Sequence, residues 1–116
     1  MTLEQGTILL LPVPFTDLST TKRRPVIVIS STAYHQQTTD MIVVAMTSNP
    51  TVTPYTCVIT NEHLDEGQLN RPGTVRGDKI YTLSQALAVR VFGKVNGETV
   101  RQIKSLVELV TQIDPE

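Results

Sequence analysis

The chain has 116 residues, of which 40% are hydrophobic and 18% are charged, and its formal net charge at pH 7 is −1. These values are typical of one folded domain over residues 1–116 and exclude a disordered or a generally nucleic-acid-coating protein. No apolar run approaches the ~18 residues of a membrane span, and MTLEQGT lacks the pattern of a signal peptide, so we expect a cytoplasmic protein. Because a core of this size is small, we also expect a homodimer that buries surface between two copies.

Apolar, β-branched runs predict four strands in the first half of the chain. They cover residues 6–13, 24–30, 40–48 and 55–61. A polar loop from Phe15 to Arg23 separates the first two strands. One Asn-Pro pair, at Asn49, and one Thr-Pro pair, at Thr53, mark the connection between the third strand and the fourth.

The second half is predicted to contain two more strands and one long helix. Residues 62–67 are acidic and polar and indicate a surface loop, and the Arg-Pro-Gly triplet at 71–73 indicates a turn. A fifth strand is predicted over 74–83 with Gly77 as a bulge, and a sixth over 89–95. Asn96 is a suitable helix cap, and an apolar stripe predicts an amphipathic helix to about Ile113. The pattern favours a mainly β fold, a small open barrel of five to seven strands closed by a C-terminal helix.

The positive charges are unevenly placed. Lys22, Arg23 and Arg24 are the only basic residues before residue 71, and residues 69–104 carry seven basic residues against two acidic ones. Pro25 restricts Arg24 to an extended backbone at the start of a strand. A fixed guanidinium group beside a loop rich in hydroxyls is suited to binding a phosphate.

The remaining reactive side chains give weaker indications. Cys57 is the only cysteine and lies in an apolar run, so we interpret it as a core residue. His35 and His63 would be an alternative acid and base pair, but nothing in their spacing brings them together. Potential ligands do not cluster at metal-binding spacing, so neither a metal nor another cofactor is expected.

Three segments together are similar to a known family. The runs GTILLLPVPFTDLSTTKRRPVIVIS, IVVAMTSN and VRGDKIYTL, followed by a C-terminal helix, resemble the MazF/PemK toxins of bacterial toxin–antitoxin pairs. The resemblance implies an SH3-like barrel, a homodimer and a cognate antitoxin as partner. It also implies metal-independent cleavage of single-stranded RNA, including mRNA, to 2′,3′-cyclic phosphate and 5′-hydroxyl ends.

The resemblance also assigns roles to residues. It implies that Arg24 and Thr47 are catalytic and that the Phe15 to Arg23 loop covers the RNA. Candidate RNA-binding residues are Phe15, Asp17, Ser19, Lys22, Arg23, Ser48, Asn49 and Lys79. The chain departs from its relatives at Thr7, where they often have Gly-Asp, and in a loop that lacks their Glu residues.

The residues suit part of this chemistry. Attack by the 2′-hydroxyl requires a proton acceptor, donors for the charged phosphorane and a proton for the leaving oxygen. Arg24 supplies donors and Thr47 a hydroxyl, whereas the general acid and base stay open. Two alternatives are a gyrase-poison-like toxin on the same barrel and a non-catalytic barrel that binds a macromolecular partner. The absence of Trp and the ending TQIDPE count against the former.

Overall fold

The computed structural model describes residues 3–14 and 16–116 and contains seven strands, two helices and two 3-10 turns. The strands are β1 (Thr7–Pro14), β2 (Thr21–Val28), β3 (Asp40–Thr47), β4 (Thr56–Ile59), β5 (Leu64–Gly67), β6 (Gly73–Ser84) and β7 (Val91–Val95). The helices are α1 (Thr32–Gln37) and α2 (Gly97–Val110), and the 3-10 turns are Asn61–His63 and Gln85–Leu87. Within the described residues, neither helix is long and apolar enough to cross a membrane.

All seven strands form one antiparallel sheet in the order β4-β6-β3-β2-β1-β7-β5. The two edge strands, β4 and β5, follow each other in the chain and are joined only by the short turn Asn61–His63. The sheet must therefore curve until its edges approach each other, as in an open barrel. This arrangement confirms the predicted mainly β fold with a C-terminal helix.

Apolar side chains pack on both faces of the sheet because successive strand residues point to opposite sides. One face is covered by α2, whose Val100 and Ile103 are buried among strand residues such as Ile27. The other face carries a second cluster formed by Leu9, Leu11, Val13, Val26, Val28, Met41 and Val43. Asn96 begins α2 as predicted, since its Oδ1 accepts a hydrogen bond of 2.9 Å from the Thr99 amide.

Several predicted boundaries are wrong. Residues Leu64–Gly67 form strand β5 rather than a loop, because β7 pairs with them although LDEG has no apolar alternation. Strand β2 begins at Thr21, so Lys22 and Arg23 belong to a strand and not to the loop. Helix α2 ends at Val110, before the exposed Ile113. Helix α1 was not predicted, and it begins where the Ser31 hydroxyl accepts from the Tyr34 amide.

Gly77 lies in the bulge that the sequence predicts. Strand β3 pairs Val44 with Ile80 but Ala45 with Arg76, so three residues of β6 have no partner on β3. A Cβ atom at Gly77 would lie 2.6 Å from the Leu106 Cβ of α2 and 3.1 Å from the Tyr55 carbonyl oxygen. The missing side chain therefore allows α2 to pack directly on the bulge.

Gly77→Ala should lower the free energy of unfolding by about 1–3 kcal/mol, because α2 would have to move away from β6. Gly97→Ala is the matched control, since Gly97 starts the same helix and has no atom within 4 Å of an added Cβ. That variant should be neutral or more stable by up to about 1 kcal/mol. Urea unfolding followed by circular dichroism measures both, and equal stability of the two variants would contradict this account of the packing.

Candidate active site

The site lies where strands β2 and β3 stop pairing. Their register joins Val28 to Val43 and Val26 to Ala45 and then ends. The next pair on the same face would be Arg24 and Thr47, because strand residues two apart share a face. Beyond this point β2 pairs only with β1. Arg24 and Thr47 therefore follow the last pair of the ladder on one face, at the point where the two strands separate.

A cavity of about 340 Å³ opens at this point. It is lined by Pro14, Thr16, Asp17, Arg24, Ala45, Met46, Thr47, Asn49, Thr51, Arg76, Lys79 and Tyr81. These residues come from the end of β1 and the loop after it, from β2, from β3 and the segment after it, and from β6. The cavity thus brings together residues that are up to 67 positions apart, as the contact between the Tyr81 hydroxyl and the Pro14 carbonyl illustrates.

Arg24 and Thr47 both have hydrogen-bonding capacity free for a ligand. In the described part of the chain, the half-buried Arg24 side chain makes no hydrogen bond and no ion pair. The Thr47 Oγ1 accepts a hydrogen bond of 3.1 Å from the Asn49 amide. Because that bond uses only an acceptor position, the hydroxyl proton remains available for donation to a ligand.

The bulge of β6 adds charged side chains to the cavity. The Arg76 guanidinium donates from Nε to Asp78 Oδ1 and from Nη2 to Asp78 Oδ2, both at 2.9 Å. This pairing raises the pKa of Arg76 and lowers the pKa of Asp78. Lys79, the next residue, lines the cavity as well. The site therefore contains two cations, Arg76 and Lys79, in addition to Arg24.

The loop after β1 makes a tight turn at the rim of the cavity. Asp17 Oδ1 accepts from the Ser19 amide at 3.0 Å and from the Ser19 hydroxyl at 2.7 Å, and Leu18 between them has a φ of 60°. These bonds lower the pKa of the exposed Asp17 carboxyl group. Asp17 lines the cavity, whereas Ser19 is held against Asp17 and does not. Phe15 lies outside the described residues.

The other predicted RNA-binding residues are spread around the cavity. Asn49 and Lys79 line it. Ser48 lines a second cavity, of about 380 Å³, which shares Thr47 with the first. Lys22 is exposed and pairs with Val13, so it points to the same face as Arg24, while Arg23 points to the opposite face. The structure therefore groups Arg24, Thr47, Asp17, Asn49 and Lys79 in one cavity, and Ser19, Lys22, Arg23 and Ser48 are not part of its lining.

Neither histidine reaches this cavity. His35 is buried, with its Nε2 2.5 Å from the Ser30 hydroxyl and its Nδ1 2.7 Å from the Leu3 carbonyl oxygen. His63 Nδ1 accepts from the Thr60 amide at 2.9 Å and thereby caps a 3-10 turn. Both rings have structural partners, which rules out the alternative acid and base pair. Burial raises the pKa of the half-buried Cys57 thiol, in keeping with a core residue.

Sequence reasoning did not single out Arg76 as a site residue. The excess of basic residues over positions 69–104 was the available signal, but it did not distinguish Arg76 from Arg71, Arg90 or Arg101. Only the pairing of Arg76 with Ala45 shows that it faces the same side as Arg24 and Thr47. Tyr81 also lines the cavity, and its position there likewise depends on the sheet.

Comparisons with known proteins agree with this fold. The sequence profile of the family described as "PemK-like, MazF-like toxin of type II toxin-antitoxin system" matches residues 4–111. No curated protein sequence matched the chain.

Three solved structures illustrate the likeness. An endoribonuclease from Mycobacterial species is 17% identical with a TM-score of 0.77, covering 100% of this chain and 97% of that one. An endoribonuclease in complex with its cognate antitoxin, also from Mycobacterial species, is 17% identical with a TM-score of 0.72 and coverages of 97% and 99%. A MazE-MazF crystal structure from Deinococcus radiodurans gives 18% identity, a TM-score of 0.72 and coverages of 98% and 100%.

At these identities the solved structures establish the shared fold, and the profile match over nearly the whole chain establishes the family and confirms the resemblance seen in the sequence. The chain belongs to the PemK-like, MazF-like toxins of type II toxin–antitoxin systems.

Proposed function

We propose that this chain is an endoribonuclease that cleaves single-stranded RNA, including mRNA, as the toxin of a toxin–antitoxin pair. The observation that carries the proposal is the common cavity of Arg24 and Thr47 at the end of the β2–β3 ladder. The solved structures most relevant to it are the endoribonucleases that share the fold. Lys79 and Asn49 line the same cavity and are suited to contacting the RNA backbone.

In the proposed reaction, the ribose 2′-hydroxyl attacks the adjacent phosphorus. A bond forms between the 2′-oxygen and phosphorus, the bond to the 5′-oxygen breaks, and the products carry a 2′,3′-cyclic phosphate and a 5′-hydroxyl. Negative charge accumulates on the non-bridging oxygens, where the forked donors of Arg24 stabilise it. Thr47 donates a hydrogen bond from its hydroxyl to the same phosphate or orients the attacking hydroxyl. The proton that the 2′-hydroxyl loses is balanced by the proton that the 5′-oxygen gains. Neither transfer involves an imidazole, because neither histidine lines the cavity.

Arg24→Ala should lower the rate of RNA cleavage by about 10²–10³-fold, the cost of removing one preorganised donor from a charged transition state. Arg24→Lys should recover only part of the rate, since an ammonium group keeps the charge but not the fork. Arg101→Ala, which removes an exposed arginine of α2, is the matched control and should cleave at the wild-type rate. Gel analysis of a long, mixed-sequence single-stranded RNA measures all of these rates.

The same assay should be run with and without EDTA, and cleavage should persist in the chelator. RNA left intact by the wild-type protein would support the alternative of a barrel that only binds or inhibits a macromolecular partner. Equal cleavage by wild-type protein and Arg24→Ala would remove Arg24 from the mechanism.

Thr47→Val removes the hydroxyl group at nearly constant shape and should slow cleavage by about 10²-fold, because one donor to the phosphate is lost. Thr47→Ser keeps both the donor and the acceptor used by the Asn49 amide, so it should remain within a few-fold of the wild type. Single-turnover rates separate this effect from changes in binding. If Thr47→Val cleaves like the wild type while Thr47→Ser is slow, the methyl group and not the hydroxyl of Thr47 matters.

The cognate antitoxin is proposed to cover the same cavity and so to block access to RNA, as suits a site with three basic side chains. A segment of such a partner would order on binding, with acidic groups meeting Arg24, Arg76 and Lys79. We further propose a cytoplasmic location, where the mRNA substrate is found.

We also propose that the chain forms a homodimer. Exposed apolar side chains on β7 and α2, among them Val91, Phe92, Leu109 and Val110, offer surface that a second copy would bury. Sedimentation equilibrium should give a mass about twice the 12.8 kDa of one chain. A mass that stays at one chain across micromolar concentrations would contradict the dimer.

A further inference from the structure

The Arg76–Asp78 pair differs from the other ion pair found in the described residues. That second pair joins Lys94 of β7 to Glu4 and lies outside the cavity of Arg24 and Thr47. Arg76, in contrast, lines that cavity and is held by two hydrogen bonds of 2.9 Å to a single carboxylate. A guanidinium group fixed in this manner has lost most of its side-chain freedom before any ligand arrives.

A contribution to folding is one role of the pair. The side chains of Arg76 and Asp78 are 26% and 31% exposed, so water screens their charges, although two parallel hydrogen bonds are the most favourable geometry for such a pair. The residues are separated by Gly77 and lie at the bulge of β6, where the chain departs from regular pairing. A second role follows from the ligand that the fixed guanidinium group of Arg76 can bind.

Arg76 retains donors that point away from Asp78. A guanidinium group has five N–H bonds, and Asp78 accepts one from Nε and one from Nη2. Three N–H bonds, two of them on Nη1, are therefore left for a further acceptor. A phosphate group is the acceptor that best matches a planar fork of this kind.

The sheet register places Arg76 close to the proposed chemistry. Arg76 pairs with Ala45, which in turn pairs with Val26, so the three residues form one row across β6, β3 and β2. Adjacent strands are about 4.8 Å apart. Arg24 and Thr47 are the next residues on the same face of β2 and β3. Arg76 is thus one strand away from the proposed scissile position.

We propose that Arg76 binds a backbone phosphate next to the scissile one and that Asp78 is a positioning residue that holds Arg76 for this contact. The inference rests on the proposed function and adds a substrate contact to it. It also predicts an unusual effect of removing the Asp78 carboxylate on RNA binding. By charge alone, removing a carboxylate near an RNA site should strengthen RNA binding, whereas loss of a positioning residue should weaken it.

The test measures cleavage of a short RNA containing one cleaved site, at several salt concentrations. Arg76→Ala should raise KM about tenfold with little change in kcat, and it should make the slope of log KM against log salt shallower by about 0.7, the contribution of one phosphate contact on a single strand. Arg76→Lys should keep most of the salt slope but recover only part of the affinity. Lys94→Ala, taken from the other ion pair, should match the wild type.

Asp78→Ala should raise KM several-fold although it removes a negative charge, and Asp78→Asn, which keeps one acceptor oxygen, should be intermediate. Glu108→Ala removes an exposed acidic residue of α2 and controls for net charge, with KM unchanged or slightly lowered. Thermal unfolding of each variant confirms that it is folded. A KM for Asp78→Ala at or below that of Glu108→Ala would overturn the positioning role.

A second measurement separates this inference from the proposed function. Binding of the same RNA with 2′-O-methyl groups, which cannot be cleaved, is followed by fluorescence anisotropy for every variant. If the wild type binds this RNA but does not cleave the unmodified RNA, the nuclease proposal is contradicted, and the order of variant affinities still tests Arg76 and Asp78. Equal affinity and equal salt slope for wild type and Arg76→Ala would overturn the phosphate contact, as would the absence of wild-type binding.

Discussion

The candidate site depends on the point at which β2 and β3 separate. Up to Val26 and Ala45 the two strands share a ladder, and their side chains on one face are buried core residues. One step further, the same face carries Arg24 and Thr47, and the ladder has ended. Pro25, which lacks an N–H group, lies at that step. Because packed core residues precede Arg24 on β2 and Thr47 on β3, the core fixes the positions of the two backbones relative to each other.

The long strand β6 connects the core to the charges of the site. Its first residues pair with β3 and β4, and its later residues pair with β3 after the bulge at Gly77. Helix α2 packs on the bulge because Gly77 has no side chain. The cavity is lined by Lys79, one of the three residues without partners on β3, and by Arg76, which precedes them. Packing of the C-terminal helix and placement of the basic groups thus share one structural cause.

The arrangement of charged side chains explains how a protein with a net charge of −1 can bind a polyanion. Arg24, Arg76 and Lys79 line one cavity although they are distant in the sequence. The nearby carboxylates are engaged, Asp17 by Ser19 and Asp78 by Arg76. Their hydrogen bonds favour the ionised form of both groups, and the positive charge of Arg76 offsets that of Asp78. Local placement therefore matters more than total charge.

The sequence by itself determined the fold class, the helix cap at Asn96 and the bulge at Gly77, and it directed attention to Arg24 and Thr47, because these features have local signatures or belong to a recognisable motif. Tertiary structure decided the rest. Strand β5 exists because β7 supplies hydrogen-bonding partners for a polar segment. Strand β2 begins as early as Thr21 because its first residues pair with β1. Arg76 joins the site through the register of β6 with β3. Register between strands that are far apart in the chain arises from the packing of the whole sheet, and no single segment contains that information.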